Sequence, residues 1–150
     1  MHADQPSTVQ KVAFLAGREA HLEARWPVVV VETHFAWVFL ADGVVRKLKK
    51  PLRTPWGDLS TLEARFAACR EEVAINRRLG GDVYQGVEQL VRRPDGSLAI
   101  GRLGEPVEAL VRMRRLPDAR CLDRLRRRPE TTVLDDVADL LAGFYREGRC

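Results

Sequence analysis

Lys47 and Glu72 are the two residues whose types and setting could do chemistry together. Lys47 stands in Val44-Val45-Arg46-Lys47-Leu48-Lys49-Lys50, which reads as a strand. Glu72 flanks the stripe Leu62, Phe66, Cys69, Val73 and Asn76, spaced i, i+4, i+7, i+11, i+14 on a helix that packs on that strand's sheet. A strand lysine and a helix carboxylate then face each other, so that the ion pair keeps the ammonium charged and fixed. Two alternatives stand beside this. Lys49 points to the same face as Lys47, as solvated lysines near a sheet edge do. Glu71 competes with Glu72 for the carboxylate role.

Other candidates carry less. Met113 closes the strand VEALVRM, where packing in the core is its plain reading. His34 adjoins an apolar strand, without a second histidine and carboxylate close in sequence to make an acid-base pair. Cys69, Cys121 and Cys150 have no metal-ligand spacing, and Cys69 falls on the packing stripe, so reduced thiols are expected and no metal site. Nine arginines against four acids between Arg102 and Arg128 suggest a polyanion. The net charge of +4 is mild, however, and no aromatic residue interleaves the run Arg126-Arg127-Arg128. A solvated helix face or an acidic protein partner fits better than nucleic acid.

The elements that must position these residues follow from local signals. Ser7-Thr8-Val9-Gln10 is a capping-box pattern opening an N-terminal helix of about four turns, ending before Trp26-Pro27. Val28 to Glu32, apolar without alternation, predicts a strand covered on both faces. Phe35 to Ala41 and Val44 to Lys50 form a hairpin through Asp42-Gly43. Pro51 to Asp58 is a loop that Trp56 should anchor. Ser60-Thr61-Leu62-Glu63 reads as a second capping box, and Gly80-Gly81 stops the helix it opens. Val87 to Arg92 and Ser97 to Ile100 flank the turn Pro94-Asp95-Gly96, and Val107 to Met113 is a further strand. Cys121 to Arg127 and Thr132 to Arg146 read as helices.

With 150 residues, 45% of them hydrophobic, the chain can build one compact domain, or one lobe and part of another. The apolar run Pro27 to Val31 is far shorter than the ~20 residues that cross a bilayer, and there is no basic-then-apolar leader. A cytoplasmic protein without membrane contact is expected.

ETHFAWVFL, VVRKLKKPL, the DLSTLE helix start, CREEVAINRRL and VEALVRMRRLP together cover roughly residues 28 to 125. As a set they resemble the small lobe of the protein-kinase-like superfamily, in its aminoglycoside phosphotransferase-like branch of unassigned substrate. The resemblance implies an α+β fold: an antiparallel twisted sheet of about five strands, a packed helix, an N-terminal helix over 1–26, the lobe over 27–116, and one or two helices of an incomplete large lobe over 117–150. It assigns Lys47 to the α- and β-phosphates of ATP, Glu72 to the paired carboxylate and Met113 to the border of the adenine. Val73, Ile75 and Leu79 follow Glu72 at the family's hydrophobic positions, which favours it over Glu71. No glycine lies between Gly17 and Gly43, so the phosphates would be covered differently from those of most kinases.

The family's catalytic-loop aspartate and its later metal-binding aspartate have no counterpart after Leu116. The implied function is therefore an ATP-binding small lobe, inactive alone, binding ATP weakly and carrying no magnesium site. A complementary large lobe or self-association would cover the apolar face of the last helix. The alternative is a non-catalytic module that docks a protein or a polyanion.

Overall fold

In the computed structural model, which describes residues 5–120 and 131–148, the chain is α+β, with an antiparallel sheet of six strands and three α-helices. Helix α1 (Thr8–Ala16) leads to β1 (Val29–Glu32), β2 (Ala36–Ala41) and β3 (Val44–Lys49). A two-stranded ribbon, β4 (Arg53–Thr54) and β5 (Gly57–Asp58), precedes helix α2 (Leu62–Gly80). Strands β6 (Tyr84–Arg92), β7 (Leu98–Ile100) and β8 (Glu105–Arg114) complete the large sheet, and α3 (Thr131–Glu147) follows. The order is β1-β2-β3-β8-β6-β7, so β3 and β8 are central although 61 residues separate Val44 from Glu105.

Alternation along β3 divides the core in two. Leu48 on β3, Phe39 on β2, Leu110 on β8 and Leu90 on β6 point to one face, where Leu15 of α1 covers them. Each such buried side chain contributes about 1.5–3 kcal/mol. Ala109, Val111 and Met113 point to the other face and meet Cys69 and Val73 of α2. The sheet is thus sandwiched between α1 and α2.

Two buried ionic clusters tie these layers together. Glu108 is bound by Arg65 of α2 at 2.7 Å and by Lys11 of α1 at 3.0 Å, and Lys11 also donates to the Val107 carbonyl at 2.8 Å. On the α1 face, buried Arg46 bonds Glu88 at 2.7 Å, Glu23 at 3.1 Å and the ring of His21 at 2.7 Å. His21 is fully buried.

Several local expectations change. The Ser7 capping box is present, but α1 ends at Ala16, because Gly17 leaves the helix in an extended conformation and only a 3₁₀ turn, Arg18–Ala20, follows. The cap of α2 is Thr61, not Ser60: the Thr61 hydroxyl accepts from the Ala64 amide at 3.2 Å. Gly81, at φ +50°, caps the other end as the glycine pair implied. Strand β1 is exposed at all four residues rather than covered, since it is the sheet's edge. Trp56 is 85% exposed and anchors nothing; the ribbon is held instead by the β4–β5 ladder and by Thr54 accepting from the Trp56 amide.

Helix α3 opens within one residue of its expected start. It meets α2 near its C-terminal end, where the Arg78 guanidinium lies 4.7 Å over the Phe144 ring. Val133, Val137, Leu140 and Leu141 remain exposed. The expected helix from Cys121 to Arg127 and the run Arg126 to Arg128 lie outside the described residues.

Candidate functional site

Register places the candidate residues on one face. Val29 of β1 lies opposite Leu40, Leu40 opposite Val45, and Val45 opposite Met113, a row of aliphatic side chains across four strands. Two residues along the strands, the next row runs Val31, Val38, Lys47, Val111. Side chains two apart on a strand share a face, so both rows look toward the α2 side. Lys49 follows, opposite Ala36. Along β3 the face therefore changes from apolar at Val45 to cationic at Lys47 and Lys49, with about 6.6 Å between successive rows.

Glu72 reaches this face from α2. Its Oε1 accepts from Lys47 Nζ at 2.9 Å and its Oε2 from Lys49 Nζ at 2.5 Å. The carboxylate is 12% exposed, the Lys49 side chain 15% and that of Lys47 30%, so the cluster is half sheltered and opens to solvent mainly at Lys47. Burial alone would raise the Glu72 pKa, but the bonds from Lys49 and Lys47 outweigh it and hold the carboxyl below its ordinary range. Glu72 is accordingly an anion at neutral pH. Its orientation is set by the helix: Val73 beside it is buried against Ala109 and Val111, and Asn76 donates to the Glu72 carbonyl at 2.8 Å.

Sequence reasoning joins Lys47 to Glu72, and the structure brings those two together. Glu71 is exposed and takes no part. Lys49, expected from its position near the sheet edge to be solvated, makes the shorter bond of the two. Met113 shares the face, one row and one strand from Lys47, and its half-buried side chain also packs on the α2 cluster. His34 is exposed, with its ring against Phe35 at 4.6 Å.

The residues that the sequence reading missed are the buried ionic ones. Arg65 falls between Leu62 and Phe66 on the packing side of α2, and Arg46 points away from Lys47 by simple alternation; both signals were present in the spacing. Cys69, fully buried against Ala109, has its thiol pushed up to about 11 by burial, which keeps it protonated and unreactive. No group of metal-binding side chains occurs among the described residues. Nor does any described helix have the length and apolarity to cross a membrane.

Proteins described as uncharacterized, from Mycobacterium tuberculosis and Mycobacterium bovis, are 36% identical to this chain over 134 residues, which is 87% of this chain and 25% of each relative. The chain thus spans about a quarter of the length of the curated relatives it matches. No family model matches it, and no solved structure matches it significantly.

Proposed function

We propose that this chain is a kinase-like small lobe, of the aminoglycoside phosphotransferase-like kind, that binds ATP on the α2-facing side of its sheet. One observation carries the reading: the lysine of a central strand is held at 2.9 Å by a helix carboxylate, directly beside an aliphatic row that ends at Met113. A flat heterocycle suits the Val45 and Met113 row, and a phosphate chain leaving it would run along β3 toward Lys47. The donor set fits phosphate, since an ammonium with one bonded carboxylate keeps further N–H donors for a second anion. Bound there, ATP would bring a phosphoryl group for transfer. The residues of this chain would orient it and neutralise its charge, without activating a nucleophile.

Half of the usual cleft belongs to a second lobe, so binding by this chain alone is expected to be weak, about 0.1–1 mM or worse. Titration with ATP followed by NMR should shift the amides of Lys47, Glu72 and Met113, and Lys47→Ala should weaken the response. Shifts confined to Arg112 and the residues after it, screened out by added salt, would defeat the reading.

The polyanion-binding alternative draws less support. Arg112 is paired with Glu88 at 2.7 Å, Arg114 with Asp82 at 3.1 Å and Arg115 with Asp118 at 3.7 Å, so much of the described arginine segment is already neutralised.

A further inference from the structure

We infer that Lys49 is a second anion-binding residue of this site, and that Lys47 and Lys49 together cradle two adjacent phosphoryl groups across Glu72. The inference rests on reading the Lys47 face as a phosphate site, and it adds a residue to that site which the resemblance does not assign.

Charge is the first argument. Two ammoniums converge on one carboxylate, which leaves the half-sheltered cluster with a surplus positive charge. Glu88 and Glu108 do not supply the missing charge: Glu88 binds Arg46 and Arg112 on the opposite face, and Glu108 is taken by Arg65 and Lys11. Glu32 is bound by Lys50. Among the described residues no second carboxylate is bonded to either ammonium, and an exogenous anion would balance the cluster.

Donor count is the second argument. Each ammonium has three N–H donors, and among the described residues Lys47 and Lys49 each donate once, to Glu72. Both ammoniums therefore retain donors near the carboxylate. Because both bind the same carboxyl group, they are held no farther apart than one carboxylate and two hydrogen bonds. Within that bound, oxygens of neighbouring phosphoryl groups can meet both ammoniums, and a diphosphate brings them more negative charge than a lone orthophosphate.

Direction is the third. Lys49 lies beyond Lys47, away from the Val45 and Met113 row, so a chain of phosphates leaving that row meets Lys47 first and Lys49 next. The preferred ligand is thus a di- or triphosphate.

Binding of inorganic pyrophosphate and orthophosphate to the full chain, followed by NMR, tests this. Pyrophosphate should bind more tightly than orthophosphate and shift the amides of Lys47, Lys49 and Glu72. Lys47→Ala and Lys49→Ala should each weaken it about tenfold, the loss expected for one charge-assisted bond. Lys49→Arg, which keeps the charge, should retain most of the affinity, and Lys50→Ala, on the opposite face, should have no effect. If Lys49→Ala leaves pyrophosphate affinity unchanged while Lys47→Ala removes it, the cradle is wrong and the ATP reading survives. If pyrophosphate depends on both lysines but ATP adds no shift at Val45 or Met113, the cradle stands and the nucleotide reading fails. Equal losses in all three alanine variants would mean diffuse attraction and would overturn the cradle.

Discussion

Arg46 donates from Nη1 to Nδ1 of His21 at 2.7 Å, and this bond fixes where the histidine carries its proton. A guanidinium only donates. Nδ1 is therefore the acceptor, and Nε2 bears the hydrogen and donates to the Leu15 carbonyl at 2.8 Å. Protonating Nδ1 would set two donors against each other inside the core.

A pH dependence follows from that geometry. Burial, opposed by the bond to Leu15 and reinforced by the charge of Arg46, holds the His21 pKa below its ordinary 6.5. The unfolded chain thus takes up a proton at a higher pH than the folded one. Stability from neutral His21 is complete above pH 6.5 and is lost as the pH falls toward the lower folded-state value. Urea unfolding should give a lower midpoint at about pH 5 than at about pH 7.5, and His21→Gln should flatten the difference. Midpoints that do not change over this range in the unsubstituted chain would show that His21 titrates freely.

Glu108→Ala should be among the most damaging single changes. It leaves Lys11 and Arg65 as buried cations without their shared carboxylate, a loss of about 3–5 kcal/mol. Denaturant melts of the variant measure it directly. A loss below about 1 kcal/mol, typical of exposed pairs, would mean that water reaches the cluster.

Phosphoryl transfer from ATP by this chain alone should be undetectable. The resemblance puts the nucleophile-orienting and metal-holding aspartates in a second lobe, and in the proposed role Lys47 and Glu72 would position phosphate without activating an acceptor. Sustained transfer by a purified preparation, abolished by Lys47→Met, would contradict this.

The exposed face of α3 makes a contrasting prediction. Leu140→Glu should change stability by no more than about 0.5 kcal/mol, because Leu140 is 54% exposed and packs in neither core cluster. Phe144→Ala should loosen α3 from α2, seen as faster amide exchange over residues 131–147 than over 62–80. A cooperative loss of the whole fold on Leu140→Glu would reveal a covering surface on that face.

Much of the fold was legible where local signals and periodicity agreed. The Asp42-Gly43 hairpin, the α2 stripe and its glycine stop, and the turn at Pro94-Asp95-Gly96 all appear as the residues imply. The pairing of Lys47 with Glu72 was legible because a strand's alternation and a helix's stripe fix which sides face each other. Failures came where burial is decided by distant elements. Val29 to Val31 look like core residues, yet sheet order puts them at an edge, and no local pattern encodes that order. Trp56 has the composition of an anchor but sits on a ribbon too short to bring it back to the lobe. Buried Lys11, Arg65 and Glu108 carry no local signal of their pairing, because charged residues are usually exposed and only the assembled layers supply their partners.

The clamp on Glu108 also constrains the order in which the chain can fold during synthesis. Lys11 emerges from the ribosome 96 residues before the Val107 carbonyl and 97 before the Glu108 carboxylate that bind it, and Leu15 likewise waits for Leu90 and Leu110. The first helix cannot be held in its final place by local contacts alone. Until β8 enters between β3 and β6, the sheet consists of a three-stranded β1-β2-β3 unit and a separate β6-β7 hairpin, and α1 has only part of its surface to rest on. Completion of the small domain is therefore a late, concerted event, slowed by its long-range contacts, and a nascent chain halted before Glu105 would hold neither helix against a finished sheet.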